Sequence, residues 1–233
     1  MAWIVAAKNR RVDVKSKIIT AAEAILMIKP GDCVMLGGFG GVGVPYRLID
    51  ELSGSGNDWL RDLHVVTNDA GRDGVRGVAD LLVPPRVRKL TTTYVNGNSR
   101  VSDMRQSGEM EVDLWPIGSL YESIWAAGSG LGGVLTPTGV GTKAEDGKQK
   151  LELDGREYLL LRPFLGDVAL IGAIKADETG NLVMRRVQKT YNIAMALAAR
   201  LVLAEVEEIV PVGSIDPDEI SVPGALVDHI VKV

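Results

Sequence analysis

From Gly31 to Pro45 the chain reads Gly-Asp-Cys-Val-Met-Leu-Gly-Gly-Phe-Gly-Gly-Val-Gly-Val-Pro, an unbroken apolar run that passes straight into a stretch where glycine takes five of seven positions. Cys33, Val34, Met35 and Leu36 show no polar alternation, so the strand they predict is covered on both faces, as in the interior of a parallel sheet. Gly37, Gly38, Gly40, Gly41 and Gly43, interrupted only by Phe39 and Val42, carry no Cβ to hold a ligand off the backbone, and such loops turn sharply around anions. Pro45 stands at a first helical position ahead of Tyr46, Leu48, Ile49 and Leu52, so the loop is expected to end on a helix N-terminus. Strand, glycine loop and helix in this order predict a phosphate-type site.

The pattern around this unit predicts an α/β fold: an open, mostly parallel sheet with helices on both faces. Strands are expected at Val34–Leu36, Leu63–Thr67, Val87–Val95 and Glu111–Trp115, and helices at Tyr46–Leu52, Val75–Val83, Ser102–Gln106 and Leu120–Ala127. From Lys148 the period changes. Leu151 and Leu153 alternate with polar residues, Asp154-Gly155 supplies a tight turn, and Glu157 to Arg162 returns apolar, which predicts a small β-hairpin outgrowth on the main sheet. Further on, Val168–Ile174, Leu182–Met184 and Leu201–Glu205 read as strands and Ile193–Ala199 as a helix. No linker interrupts the 233 residues, so the whole of 1–233 is expected to be one domain.

Composition removes several function classes. A net charge of −4 provides no basic face for nucleic acid. No apolar run approaches the roughly 18 residues of a membrane helix, and Met1–Ala7 precedes Lys8, Arg10 and Arg11 instead of following them, the reverse of a secretory signal. The lone cysteine, Cys33, fits a reducing compartment, expected to be the cytoplasm, and reads as a small core residue. His64 and His229 are far apart and lack a second ligand at helical spacing, so no metal site is expected, and His64 reads as a strand residue.

In such sheets ligands lie beyond the C-terminal strand ends, where both Gly37–Gly43 and Asn68–Gly71 fall. Asn68 can donate its amide to a carbonyl or carboxylate; Asp69 can equally cap its own turn. Gly38, Gly40 and Gly43 also satisfy a three-glycine dinucleotide fingerprint, which leaves a nicotinamide-dependent oxidoreductase as an alternative. The acidic residue that would hold a ribose has no convincing counterpart, since the next strand closes late, on Asn68-Asp69-Ala70-Gly71.

A longer set of motifs discriminates. Gly31, Val34-Met35-Leu36-Gly37-Gly38-Phe39, Gly43 and Pro45 resemble the coenzyme A signature of family I CoA-transferases. In order along the chain, Asn68-Asp69-Ala70-Gly71, Ser107 to Val112, Ala127 to Thr142 and Val206 to Val210 are similar to the α subunit of that family. The resemblance runs from about Lys17 to the C-terminus. It implies exchange of CoA between acyl-CoA and a carboxylic acid of the acetoacetate, acetate or butyrate type, by a ping-pong route through a glutamate that becomes an acyl anhydride and then a thioester. It implies no tightly bound cofactor, with coenzyme A itself as a substrate.

Family members carry that glutamate in a Ser-Glu-Asn-Gly-like setting on the β half, and no such segment occurs here. The resemblance therefore implies an α chain that is inactive alone and has no catalytic residue of its own, lending a coenzyme-binding loop (Gly37 to Gly43) and acyl-pocket walls (Asn68, Asp69, Ile117, Gly118) to a β subunit in an α2β2 assembly. Three departures stand out. Ile117 occupies the place of a glutamine that helps polarise the substrate carbonyl, Lys189-Thr190-Tyr191-Asn192 replaces Arg-Asn-Phe-Asn, and Trp125 replaces an arginine. They predict altered acyl specificity for a bulkier or less acidic acid, or else a non-catalytic α-like partner chain. Glu205, Glu207 and Glu208 are expected as surface or capping carboxylates.

Overall fold

The computed structural model describes residues 16–54 and 56–233; the signal-sequence reading of Met1–Arg11 lies outside them. The described chain opens with a short helix, α1 (Ala21–Ile25), whose Thr20 and Glu23 form a reciprocal capping box that the sequence reading overlooked. Strand β1 (Cys33–Leu36) leads through the glycine loop into α2 (Tyr46–Ser53), then β2 (Leu63–Thr67), α3 (Val78–Leu81), β3 (Val87–Thr92), α4 (Ser99–Ser107), β4 (Glu111–Leu114) and α5 (Ile117–Gly128). Three further strands follow, β5 (Val134–Thr136), β6 (Gln149–Leu153) and β7 (Arg156–Leu161), and then β8 (Gly166–Asp177), β9 (Leu182–Val183), α6 (Tyr191–Ala198), β10 (Ala199–Val210) and β11 (His229–Lys232).

The main sheet has the order β11-β10-β8-β1-β2-β3-β4 with β9 attached to β8. Every neighbouring pair on that path is parallel, and β9 alone runs antiparallel. From β1 the chain builds outward through β2, β3 and β4, then returns to the other side of β1 to add β8, β10 and β11. The order reverses at β1, and in open α/β sheets the ligand crevice lies beyond the strand ends at such a reversal. The glycine loop begins there.

Alternation along the strands divides the core. Val34 and Leu36 face one side with Leu48, Leu81 and Val101, under α1 to α4. Met35 faces the other with Ala169, Ile171, Met195 and Val202, under α5 and α6. Helices on both faces and a parallel sheet are what the sequence predicted. Each fully buried large side chain contributes about 1.5–3 kcal/mol, so the two layers fix β1 firmly beneath the loop it carries.

Some element boundaries differ. The helix expected over Val75–Val83 shrinks to Val78–Leu81, because Val75 closes a turn onto Arg72 and Gly77, at φ +126°, breaks the helical path. The hairpin forms as expected around Asp154-Gly155, but Val134–Thr136 joins it as a third strand antiparallel to β7. The C-terminal strand β11, invisible in a short run ending the chain, completes the sheet edge against β10.

Candidate functional site

The glycine loop is pinned at its base and open at its tip. Gly37 donates its amide to the Leu170 carbonyl at 2.9 Å, tying the loop to β8, while Phe39 and Val42 exchange two backbone hydrogen bonds of 3.0 Å. Gly40 and Gly41, between them, sit at φ +57° and +84°, backbone that favours glycine. Among the described residues, the amides of Gly38, Gly40, Gly41 and Gly43 donate to no protein acceptor. They are available to a ligand.

Gly37, Gly38, Phe39, Gly40 and Gly41 wall a cavity of about 250 Å³ whose opposite side is the Thr67–Arg72 segment after β2 and the Val75–Val78 stretch. Asn68 is 6 % exposed, and its backbone carbonyl accepts from the Thr93 hydroxyl at 2.6 Å. Asn68 lines the cavity, and its side-chain nitrogen donates to no protein group among the described residues. Asp69 lines the same cavity but spends one carboxylate oxygen on the Gly71 amide at 2.7 Å, the turn-forming role open to it from the sequence. Arg72 and Arg76 supply positive charge at the rim; Arg76 is paired with Asp50 and lies 5.7 Å from the Tyr46 ring centroid.

The helix that follows does not offer the open anion site that strand, loop and Pro45 predicted. The carboxylate of Glu205, on β10, accepts the Leu48 amide at 2.9 Å and so occupies the α2 N-terminus from within the protein. Burial raises the Glu205 carboxyl above its ordinary value, opposed by the backbone amides of Leu48 and Arg47. Donors for a ligand anion are therefore the loop amides, with the helix end already satisfied. Glu205 is the capping carboxylate the sequence allowed.

Not all predicted site residues meet in one place. Val42 and Gly43 line a second cavity, about 630 Å³, with Gln188, Gly172 and Glu205. It shares Gly41, Val44, Tyr46 and Arg76 with the first. Ile117 and Gly118 line a third, about 450 Å³, with Glu122, Val134, Leu135 and Leu161. No residue of this third cavity lines the one that holds Asn68 and Asp69. Ile117 is 48 % exposed and brings only hydrocarbon to it.

Two side chains to which sequence reasoning assigned no individual role hold the site in shape. Asn192, fully buried on α6, donates from its amide nitrogen to the carbonyls of Gly43 (3.1 Å) and Gln188 (3.0 Å) and accepts the Gly172 amide at 3.2 Å. Tyr191, beside it, donates its hydroxyl to the Ile117 carbonyl at 3.0 Å. Their only sequence signal was position, inside the segment Lys189-Thr190-Tyr191-Asn192.

The two other reactive side chains are quiet. Burial and the neighbouring Asp167 push the Cys33 thiol up to about 12, so it stays protonated. Burial, then the nearby Lys89 charge, lower His64 to about 4, and its Nε2 lies 2.9 Å from the Thr91 hydroxyl. Both behave as the sheet residues the sequence described. Among the described residues no group of histidine, cysteine, aspartate and glutamate is arranged to hold a metal ion, and no helix is long and apolar enough to cross a membrane.

A family model described as Coenzyme A transferase matches residues 18–233. The chain is 43 % identical over 217 residues to the alpha chain of the acetate CoA-transferase of Escherichia coli (strain K12), covering 93 % of this chain and 97 % of that one. It is 43 % identical over 218 residues to one chain of the succinyl-CoA:3-ketoacid coenzyme A transferase of Helicobacter pylori (strain ATCC 700392 / 26695), covering 93 % and 92 %. To one chain of the 3-oxoadipate CoA-transferase of Pseudomonas putida it is 41 % identical over 214 residues, covering 91 % of each. All three relatives are named as single subunits of their enzymes. Among solved structures, an acyl-CoA transferase of Escherichia coli O157:H7 in thioester complex with CoA superposes with a TM-score of 0.86 at 22 % identity. The likeness covers 96 % of this chain but 48 % of that one, so this chain spans about half of it. Glutaconate coenzyme A-transferase of Acidaminococcus fermentans gives 0.79 at 22 % identity over 94 % of this chain and 76 % of that one. At such identities the structural likeness speaks for the fold.

Proposed function

This chain belongs to the coenzyme A transferase family as a CoA-transferase subunit, and from that premise we propose that it is the α half of a two-chain active site whose glutamate nucleophile comes from a separate β chain. The observation that carries the reading is the cavity at the β1 reversal: unpartnered glycine amides on one wall and the unpartnered Asn68 amide on the other. No glutamate lines this cavity. Asp69 is engaged with Gly71, and the chain has no Ser-Glu-Asn-Gly segment.

In this reading the partner's glutamate attacks the thioester carbonyl, expels the CoA thiolate and forms an acyl anhydride. The thiolate then attacks the glutamyl carbonyl, releases the first acid and leaves an enzyme thioester, which a second carboxylate reverses. This chain's task is to hold and polarise. Loop amides from Gly38 to Gly43 cradle polar groups of the coenzyme arm, and the Asn68 amide donates to an oxygen at the reacting end. Such a donor is commonly worth about 100-fold or more in rate. The arrangement supplies what Ile117 does not.

The same proposal makes the substrates a short-chain acyl-CoA and a carboxylic acid of the acetoacetate, acetate or butyrate type, the assembly α2β2, the chain 1–233 one functional unit and the compartment the cytoplasm. The names of the relatives, each one chain of an acetate or 3-ketoacid enzyme, support it. The test is thioester exchange with this chain alone, with the β chain alone, and with the two co-expressed. Exchange in the pair only is expected; assembly of the pair without exchange would turn the reading toward a non-catalytic partner chain.

A further inference from the structure

We infer that Tyr191 and Asn192 are positioning residues that act as one clasp, setting the glycine loop and the Ile117 segment in fixed relation. The inference rests on the proposal that the glycine loop takes the coenzyme. Neither side chain lines any of the three cavities; each bonds to backbone of residues that do, Ile117 for Tyr191 and Gly43 and Gly172 for Asn192. They are adjacent at the start of α6, yet they reach two different segments.

Asn192 sits where three backbones converge. Its amide nitrogen holds the Gly43 carbonyl at the end of the glycine loop, and its oxygen holds the Gly172 amide on β8. Space is so short that a Cβ on Gly37 would collide with the Asn192 oxygen. A Cβ on Gly43 would come within 2.7 Å of its nitrogen, and one on Gly172 within 2.5 Å of the Gly43 carbonyl. Glycine at 37 and 43 leaves room for this asparagine, and glycine at 172 leaves room for the Gly43 backbone that the asparagine holds. The amide must be this size and carry both a donor and an acceptor, which aspartate, leucine and alanine do not.

Tyr191 is 2 % exposed, and its ring packs edge-on against Tyr121 at 5.6 Å between centroids. Its hydroxyl reaches across to the Ile117 carbonyl in the first turn of α5, at the mouth of the third cavity. A phenylalanine at 191 would leave the Ile117 carbonyl without this donor. Because α6 bears both contacts within two residues, the two segments share one rigid anchor.

The clasp makes separable predictions in the reconstituted complex. Tyr191→Phe removes one hydrogen bond and little volume, so the ratio of kcat/KM between bulky and small acids should shift by about 3- to 10-fold, with KM for acyl-CoA within twofold of the parent. Asn192→Ala should raise KM for acyl-CoA by about tenfold or more and leave the acid ratio nearly unchanged. If Asn192→Ala does not fold, Asn192→Asp, which keeps the acceptor for Gly172, serves with the same expected loss. Hydrogen exchange on the full chain gives a readout without turnover: the Gly172 amide should exchange faster in Asn192→Ala, but not in Asn192→Asp or Tyr191→Phe.

Equal changes of both constants in both variants, or a lowered Tm with unchanged constants, would overturn the clasp. Unchanged exchange at Gly172 in Asn192→Ala would overturn it as well. Absence of CoA exchange in the parent complex would instead overturn the proposed function, and the Gly172 exchange would then decide the clasp by itself.

Discussion

Replacing Gly37 by alanine adds one methyl group to a place with no room for it, and the structure gives the size of the penalty. The Gly37 backbone lies outside the left-handed region, so the added Cβ brings no conformational strain of its own. It meets the Asn192 side-chain oxygen, and that amide group can move only by surrendering its three hydrogen bonds, one accepted by the oxygen and two donated by the nitrogen, inside a fully buried site. Overpacking costs about 1–3 kcal/mol. Each buried hydrogen bond surrendered adds about 1 kcal/mol. A total loss of about 4–6 kcal/mol follows, a large share of the ordinary 5–15 kcal/mol of a folded domain. Gly40 is the internal control: a Cβ there meets nothing within 4 Å, and only its φ of +57° resists alanine, a cost of about 1–2 kcal/mol. Urea denaturation of both variants, read by far-ultraviolet circular dichroism at matched m-values, measures the difference. If Gly37→Ala costs no more than Gly40→Ala, the packing argument around Asn192 is wrong.

Further outcomes follow from the charges and the acyl wall. Burial holds the Glu205 carboxyl above its ordinary value, so the folded chain binds that proton more tightly than the unfolded one, and this group's contribution to stability falls as pH rises through the folded value. Glu205→Gln keeps an oxygen for the Leu48 amide and should flatten that part of the profile, as Tm from pH 4 to 8 will show; Glu205→Ala loses the cap and should cost about 1 kcal/mol or more. His64 has the opposite sign: held near 4 against an ordinary 6.5, it stays neutral when folded, so stability present above about pH 6.5 declines as pH falls toward 4. The span amounts to at most about 3 kcal/mol, reduced by partial exposure, and His64→Gln should lose that acid slope relative to the parent. Ile117→Gln restores an amide to a hydrocarbon wall and should change relative rates across a panel of acids; identical rates for all of them would show that Ile117 does not set specificity.

The sheet was legible because β1 and the middle of β8 are buried on both faces, and that burial leaves the continuous apolar runs Cys33–Leu36 and Val168–Ile171. Helix α1 and strand β11 were not, since each is too short to show a period and gains its stability from neighbours: α1 from its capping box, β11 from pairing with β10. The loop was visible because glycine is a direct statement about backbone space, and Asn68 because it follows a strand end. The roles of Asn192 and Tyr191 and the partner of Glu205 were hidden for one reason: each acts on backbone more than 70 positions away. Distance along the chain erases the pattern that local elements leave. The α2 N-terminus shows the converse error, where a correct local signal for an anion site was answered by a carboxylate arriving from β10.

The most direct measurement of the two-chain site is intact-mass and peptide mass spectrometry of the reconstituted complex after acyl-CoA is added without an acceptor acid. The account predicts a covalent CoA adduct on a glutamate of the partner chain, none on this chain, and no adduct in either chain incubated alone. A CoA adduct on this chain, on Asp69 or on any glutamate between Glu109 and Glu208, would contradict it.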